Sequence, residues 1–273
     1  MKRIGKIVAV AAACAALAGS VAAFSACGSG DVITIAGSTS VQPLMSELAD
    51  AYYEKTGVTV KVDGGGSGVG ISKAQDGTVD LGMASKEVTD KGVTPIQIAT
   101  DGIALIVSAD SALEEVSKQE VYDLYANHTA IQNIVTDAVS RDSSSGTREA
   151  FMELIELETI YAGQPELTSQ DAVIENVAAS DKVIGYCSLE ALAGNTTIKG
   201  VSYKENATDT AVAPTTENVA SGAYTLARPF NIVYNTENGL SDLVNDFIDF
   251  IFSDEGAAII EANGQVVVAD SRS

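Results

Sequence analysis

The sequence predicts an α/β fold built on a largely parallel sheet, and three early stretches carry the prediction. Each runs along a strand-like segment, arrives at glycines or small hydroxyl residues, and passes into a helical pattern. Asp31 to Ala36 alternates apolar and polar residues and breaks into Gly37-Ser38-Thr39-Ser40. Thr59 to Val62 leads to Gly64-Gly65-Gly66-Ser67-Gly68, and Val79 to Met83 delivers Ala84-Ser85-Lys86. In a parallel α/β sheet the strand C-termini and helix N-termini lie along one edge, where ligands bind. Thr39, Ser40, Ser67 and Ser85 are therefore expected on one rim. Taken singly, Ser40 reads equally well as a helix cap, Gly64 to Gly68 as a linker and Ser85 as a turn residue. Their recurrence at three successive strand ends is what favours a site.

The elements follow in order. Pro43 suits a first helical turn, and Leu44, Leu48, Ala51 and Tyr52 recur at helical spacing until Gly57 stops the run. A short helix follows Ser67 and ends near Asp76-Gly77. Ile96 to Ser108 is apolar enough for a buried strand, and Ser117 to Tyr125 reads as a helix opened by Ser117. Asn127 to Val139 has no clear period. A helix runs to about Ile160, another carries Val173 and Val177, Val183 to Cys187 is a strand, and Leu189 to Ala193 a short helix. Thr196 to Tyr203 and Asn218 to Gly222 read as extended or looped. Leu226 to Tyr234 is apolar but holds Pro229, which assigns it to a sheet edge. Leu240 to Ile251 has helical periodicity, Ser253 to Glu261 continues it, and Gly264 to Val268 closes the chain.

The stretch Ser140 to Phe151, S-R-D-S-S-S-G-T-R-E-A-F, is the most informative. Hydroxyl residues ending in Gly146 and Thr147 feed a helix-favouring segment, so a helix N-terminus is expected there, with unpaired N–H groups and partial positive charge. An anion placed at it meets backbone donors, the hydroxyls of Ser145 and Thr147, and the fixed charge of Arg141. The plainer alternative is a solvated loop with an ordinary Ser or Thr cap.

Composition bounds the function. Lys2, Arg3 and Lys6 precede a small-residue apolar run from Ile7 to Val21, which reads as an export signal over 1–26. Phe24-Ser25-Ala26-Cys27 is similar to the lipobox of bacterial lipoproteins, with Phe24 in place of the usual Leu, so Cys27 is the expected lipidation site and 27–31 a tether. The formal net charge is −21, and loss of three cations with the signal takes it to −24. So acidic a surface argues against nucleic acid and against anionic lipid headgroups as partners. Affinity for an anion then has to come from short-range donors in a screened cleft. Beyond Cys14 and Cys27 the sole thiol is Cys187, expected as a buried small hydrophobe, so no intrachain disulfide is expected.

Catalysis is poorly supported. A serine nucleophile at Ser145 or Ser67 needs a base; the single His, His128, sits in the unpatterned segment, and no Ser lies three residues before a Lys. His128 is expected at the surface. One His and one unmodified Cys offer no metal-ligand cluster, and no cofactor motif is present.

These motifs together resemble the phosphate-binding lipoproteins of ABC-type phosphate uptake systems, within the two-lobed solute-binding superfamily. The matching stretches are I-A-G-S-T-S-V-Q-P-L from Ile35, G-G-G-S-G-V-G-I from Gly64, V-D-L-G-M-A-S-K from Val79, the segment from Ser140, I-G-Y-C-S-L from Ile184 and S-G-A-Y-T-L-A-R-P from Ser221. The resemblance implies two α/β lobes, each a mixed, largely parallel sheet flanked by helices, joined by a two-stranded hinge. Lobe 1 is expected over 32–105 plus 226–273 and lobe 2 over 106–225. It implies phosphate contacts at Thr39, Ser40, Ser67 and Ser85 in one lobe and at Arg141, Ser145, Gly146 and Thr147 in the other. It also implies delivery by a monomer to an ABC permease at the extracytoplasmic face of the cell membrane, anchored through Cys27. Some members carry Asp where this chain has Ser85, to accept the proton of HPO4²⁻ and repel sulfate, so selectivity stays open; Asp142 is a candidate for that role or for orienting Arg141. The segment before Ser140 is short and lacks the family's Gly-Lys-Ile-Thr-Asn-Trp run. The alternatives are another tetrahedral oxyanion, sulfate or molybdate, and a phosphate-sensing paralogue not coupled to transport.

Overall fold

The computed structural model of the protein describes residues 32–272; the expected signal segment, the tether and Cys27 lie outside them. In chain order the elements are strand β1 (Val32–Gly37), helix α1 (Gln42–Thr56), β2 (Thr59–Gly64), α2 (Ser67–Gln75), β3 (Leu81–Ala84), β4 (Val93–Ser108) and β5 (Glu115–Ser117). Then come α3 (Lys118–Asn127), β6 (Asp137–Ala138), β7 (Ser140–Arg141), α4 (Gly146–Leu154), β8 (Glu166–Leu167), α5 (Gln170–Ala178) and β9 (Val183–Ser188). A 3-10 turn over Leu189–Leu192 precedes β10 (Ile198–Gly200), β11 (Ser202–Lys204), α6 (Thr216–Ala220), β12 (Ala227–Asn235), α7 (Asp242–Ile251), α8 (Asp254–Ala262) and β13 (Val266–Val267).

The main sheet runs β2-β1-β3-β12-β4-β9-β6, with β10 and β13 also pairing β4. It is mixed: β1 pairs β2 and β3 in parallel, while β12 runs antiparallel to β3 and β4, and β9 antiparallel to β4. The 16-residue β4 belongs to both lobes. Its first part pairs β12, and from Ile103 onward it pairs β9.

The apolar interior divides at the same place. One cluster gathers Ile33, Ile35, Leu44, Leu48, Ile98, Phe230, Phe247 and Ile251 from β1, α1, β4, β12 and α7. The other gathers Leu105, Val121, Tyr125, Phe151, Val173, Val177, Ile184 and Tyr186. A third, smaller cluster around Ile71, Ala84 and Val233 lies within the first lobe; separately buried cores held by continuous strands are what allow two lobes to move as bodies. Tyr52 of α1 packs edge-on against Phe247 at 5.1 Å, fixing α1 to α7.

Local chemistry explains most boundaries. Pro43 sits in the first turn of α1, and Gly57 closes it in the left-handed conformation, its N–H bonded to Tyr53 O. Ser117 and Glu120 form a reciprocal capping box on α3. The helix expected to run to Ile160 stops at Leu154.

One sequence expectation is overturned. The strand carrying Pro229 is central, between β3 and β4, and not at an edge. It tolerates proline because pairing with β3 begins only at Asn231; at Pro229, opposite Thr100, β12 has a neighbour on one side alone, and the register shifts just beyond it.

Candidate functional site

The site grows from four loop-to-helix junctions. After β1 the chain turns through Ser38, Thr39 and Ser40 into α1, whose N-cap, Val41, supplies no side-chain cap. The Ser40 hydroxyl is therefore not spent on its own helix. It is fully buried and lies 2.9 Å from Thr147 Oγ1, on the other lobe. Ser38 turns its hydroxyl to Ser85 Oγ at 2.9 Å, and its Oγ also accepts from Ser40 N at 3.2 Å.

Helix α2 opens at Ser67 behind Gly66, and Ser67 Oγ accepts from Ser85 N at 3.1 Å. Ser85, at the end of β3, is the centre of the group: its hydroxyl is 3.3 Å from Ser67 Oγ and 3.4 Å from Thr147 Oγ1. Ser40, Ser67 and Ser85 have no exposed surface, and Thr147 1%. Four hydroxyls from separate segments thus form one buried cluster.

The second lobe contributes the start of α4. Ser145 is its N-cap and accepts from Arg148 N at 3.2 Å; a hydroxyl that accepts there still has its proton to donate. Gly146 faces the first lobe so closely that a Cβ would lie 2.8 Å from Ser67 Cβ and 3.2 Å from Ser85 Oγ. Gly66 meets Ser144 as tightly, and Gly68 N donates to Ser144 O at 3.1 Å. The N-termini of α2 and α4 therefore confront each other across the cleft, both offering positive dipole ends. An outer ion pair, Lys86 to Glu149 at 2.9 Å, also crosses it.

Arg141 is 2% exposed, directly behind this loop. Its Nε donates to Leu167 O at 3.2 Å and its Nη2 to Thr168 O at 3.1 Å, so neutral carbonyls hold the fork. Burial pushes its pKa below the ordinary value, against the pull of Tyr186 and Asp142. Tyr186 OH accepts from Arg141 N at 3.0 Å, a role the motif I-G-Y-C-S-L did not announce. Asp142 neither orients Arg141 nor reaches the hydroxyls: its Oδ1 accepts from Ser144 N at 2.7 Å and Ser144 Oγ at 2.5 Å, tightening the turn.

Thr39 shares no hydrogen bond with the others. Its Oγ1 is buried without a hydrogen-bond partner, and the residue lines a crevice of about 320 Å³ with Gln42, Pro43, Ser46 and Ser169 to Asp171. No carboxylate among the described residues bonds to Ser40, Ser67, Ser85, Thr147 or the Arg141 guanidinium. Such a set, hydroxyl and amide donors with a buried guanidinium on the adjoining strand, suits a compact anion.

A domain model described as the PBP superfamily domain matches residues 20–255. The chain belongs to the PBP superfamily. Among its curated relatives, "Phosphate-binding protein PstS 2" of Streptococcus agalactiae is 38% identical over 102 residues, a stretch that is 36% of this chain and 35% of that protein. "Phosphate-binding protein PstS" of Bacillus subtilis is 26% identical over 254 residues, 88% of this chain and 82% of the relative. Among solved structures, a phosphate ABC transporter substrate-binding protein from Clostridium perfringens with bound phosphate superposes with a TM-score of 0.80 at 29% identity, covering 87% of this chain and all of that one. As a PBP superfamily member the chain has the two-lobed α/β fold, and its hydroxyl cluster lies where the lobes meet.

Sequence reasoning missed three buried groups. Ser38 was passed over within the G-S-T-S run, although Ser38 to Ser40 all belong to one turn. Asp101 and Arg228 form an ion pair at 3.1 Å with about 1% exposure or less, and Arg228 Nη1 donates to Ser85 O at 3.4 Å. Burial drives Asp101 up and Arg228 down, and their mutual attraction opposes both shifts. The available signal was a charged residue inside each of two apolar strands. His128, by contrast, is half-exposed at the left-handed end of α3, bonded to Asp137 and stacked on Tyr161, with no link to Ser67 or Ser145.

Proposed function

We propose that this chain binds inorganic phosphate between its two lobes, outside the cytoplasm, and passes it to the membrane subunits of an ABC-type permease. The observation that carries the reading is the convergence of Ser40, Ser67 and Ser85 from one side with Gly146 and Thr147 from the other, within hydrogen-bond reach and out of solvent. The binding site consists of Thr39, Ser40, Ser67, Ser85, Arg141, Ser145, Gly146 and Thr147. On opening, the hydroxyls that now bond one another are freed; a tetrahedral ion accepts hydrogen bonds from them, and closure brings the donors of both lobes around it. Enclosed from water, each such bond counts for more than at a surface.

The lobes in this reading are 32–105 with 226–273, and 106–225. Movement is accommodated where β4 and β12 pass between them. Cys27 carries the lipid anchor, and the chain acts as a monomer. Nothing in the cycle makes or breaks a covalent bond, so the protein is a carrier and not an enzyme. Among the described residues no helix is long and apolar enough to cross a membrane, which fits an anchored carrier that leaves passage to its permease.

Calorimetric titration with phosphate tests the reading. The parent is expected to bind, and Arg141→Ala and Ser145→Ala each to lose most of that affinity with the fold intact; unchanged affinity in both variants discards the site. A second reading is favoured by one observation, the absence of a carboxylate from the hydrogen bonds of the cradle. With only amphoteric hydroxyls there, no fixed charge rejects a fully ionised ion, and sulfate or molybdate becomes an alternative ligand. Competition of each ion against phosphate at two pH values separates the two.

A further inference from the structure

The two halves of the cradle are joined by a second route, through the hinge. From Ser85 the carbonyl oxygen accepts from Arg228 Nη1 at 3.4 Å. Arg228 turns its other face to Asp101, with Nη2 at 3.1 Å and Nε at 3.3 Å from Oδ2. The remaining carboxylate oxygen, Oδ1, accepts from Ser188 Oγ at 2.7 Å. Ser188 N in turn donates to Gln170 Oε1 at 2.8 Å. Gln170 opens α5, and the chain just before it supplies the carbonyls of Leu167 and Thr168 that hold the Arg141 fork.

The path is therefore buried from Ser85 to Gln170, with Asp101 and Ser188 having no exposed surface and Arg228 and Gln170 only 3%, and it reaches Arg141, 2% exposed, through the more open segment Leu167 to Ser169. Its middle lies where the lobes exchange strands. Asp101 and Arg228 are cross-strand partners on β4 and β12, and Ser188 ends β9 opposite Ile103. A buried ion pair contributes little net stability compared with an apolar replacement of similar size. What it supplies is direction: three donors fix one carboxylate, and one guanidinium fixes both a hinge strand and the carbonyl of a cradle residue.

We propose that Asp101 and Arg228 are positioning residues for the anion cradle, setting Ser85 of one lobe against Arg141 of the other through Ser188 and Gln170. This rests on the phosphate reading above for its ligand, though not for its geometry. Neither residue touches the ion; they act through the groups that do. A buried network with every member bonded has few alternative arrangements, which is the property needed to hold two distant donors in register.

Two variants test it. Ser188→Ala cuts the path at a hydroxyl remote from the cradle. The pair replacement D101L with R228M removes both charges together, so that neither is left stranded. For each, phosphate affinity is measured by calorimetry and thermal stability without ligand by scanning calorimetry. The expected result is an affinity loss on the order of tenfold in both variants, with Ser188→Ala keeping the parent Tm to within a few degrees. A lowered Tm with parental affinity in both would mean a purely structural role and would overturn the proposal; should the pair replacement not fold, Ser188→Ala decides alone. If the parent itself fails to bind phosphate, the ligand reading is lost, and the hinge is judged without ligand. Dyes on cysteines introduced at exposed Lys61 and Lys182, one per lobe, report lobe separation by energy transfer. Ser188→Ala is then expected to broaden the distribution, and superimposable distributions would overturn the inference.

Discussion

Gly146 has no room for a side chain, because the space a Cβ would take is already occupied by Ser67. Its conformation is ordinary helical backbone, so alanine there would not strain the chain; it would hold the lobes apart. Gly146→Ala is therefore expected to leave the stability within about 1 kcal/mol of the parent, or even raise it through helix propensity, while phosphate affinity drops sharply in calorimetry. Equal affinity in this variant would mean that the gap is not closed on the ligand. Residues of this kind show what the sequence could reveal. The hydroxyls at strand ends were readable because strand, loop and helix alternate locally, and Ser145 was readable as a cap. The partner of Ser40 was not readable, since the short-range rule makes Ser40 a cap, whereas its hydroxyl meets Thr147, 107 residues away. Nor was the Asp101–Arg228 pair, 127 residues apart, which depends on a strand register that no local pattern specifies.

At the scale of elements, the 3-10 turn after β9 places Glu190 between helices of both lobes. It lines a crevice of about 370 Å³ with Pro43 of α1 and Gln170, Asp171 and Ile174 of α5, and its Oε2 is buried without a partner. Burial, reinforced by Asp101, Asp171 and Glu47, raises its pKa from the ordinary 4.5 to about 7. The sign follows directly. Below the ordinary carboxylate value Glu190 is neutral in both folded and unfolded chains and costs nothing. As pH rises toward 7 the unfolded chain ionises first, and the native state loses relative stability until its own carboxyl ionises. Glu190→Gln is thus expected to raise the Tm at pH 8 by a few degrees and to match the parent near pH 4, in scanning calorimetry across that range. A gain that is constant with pH would contradict the burial argument. The elements themselves were legible wherever periodicity was strong, as in α1 and α7. Proline misled at β12, because the missing N–H excludes a strand from the interior only when both flanks are paired. Asn127 to Val139 stayed unreadable for a physical reason: His128, Gln132 and Asn133 all take positive φ, so the segment follows turn geometry without a repeat.

For the whole molecule the opposition is between charge and ligand. A chain of formal charge −21 repels phosphate at long range, while the contacts proposed for the ion lie in a buried cluster between the lobes. Salt screens the first over about 10 Å at 0.1 M and scarcely touches the second. Stopped-flow association is expected to quicken as ionic strength rises from 10 to 150 mM, by roughly the few-fold typical of weak electrostatic steering, with little change in the dissociation rate. A fall in the association rate would mean that the positive ends of α1, α2 and α4 dominate the approach field. The two-lobed architecture itself was anticipated only through the resemblance. The chain's length by itself allows one large domain or two lobes, and β4, a single uninterrupted strand that serves both, gives no local sign of the division. Whether donors of both lobes close on one ion is read off a crystal structure of the protein grown with phosphate. One phosphate is expected there, bonded at once to Ser40, Ser67 and Ser85 from the first lobe and to Arg141, Ser145 and Thr147 from the second. Phosphate held by one lobe alone, or lodged elsewhere with the hydroxyls still bonded to one another, would contradict it.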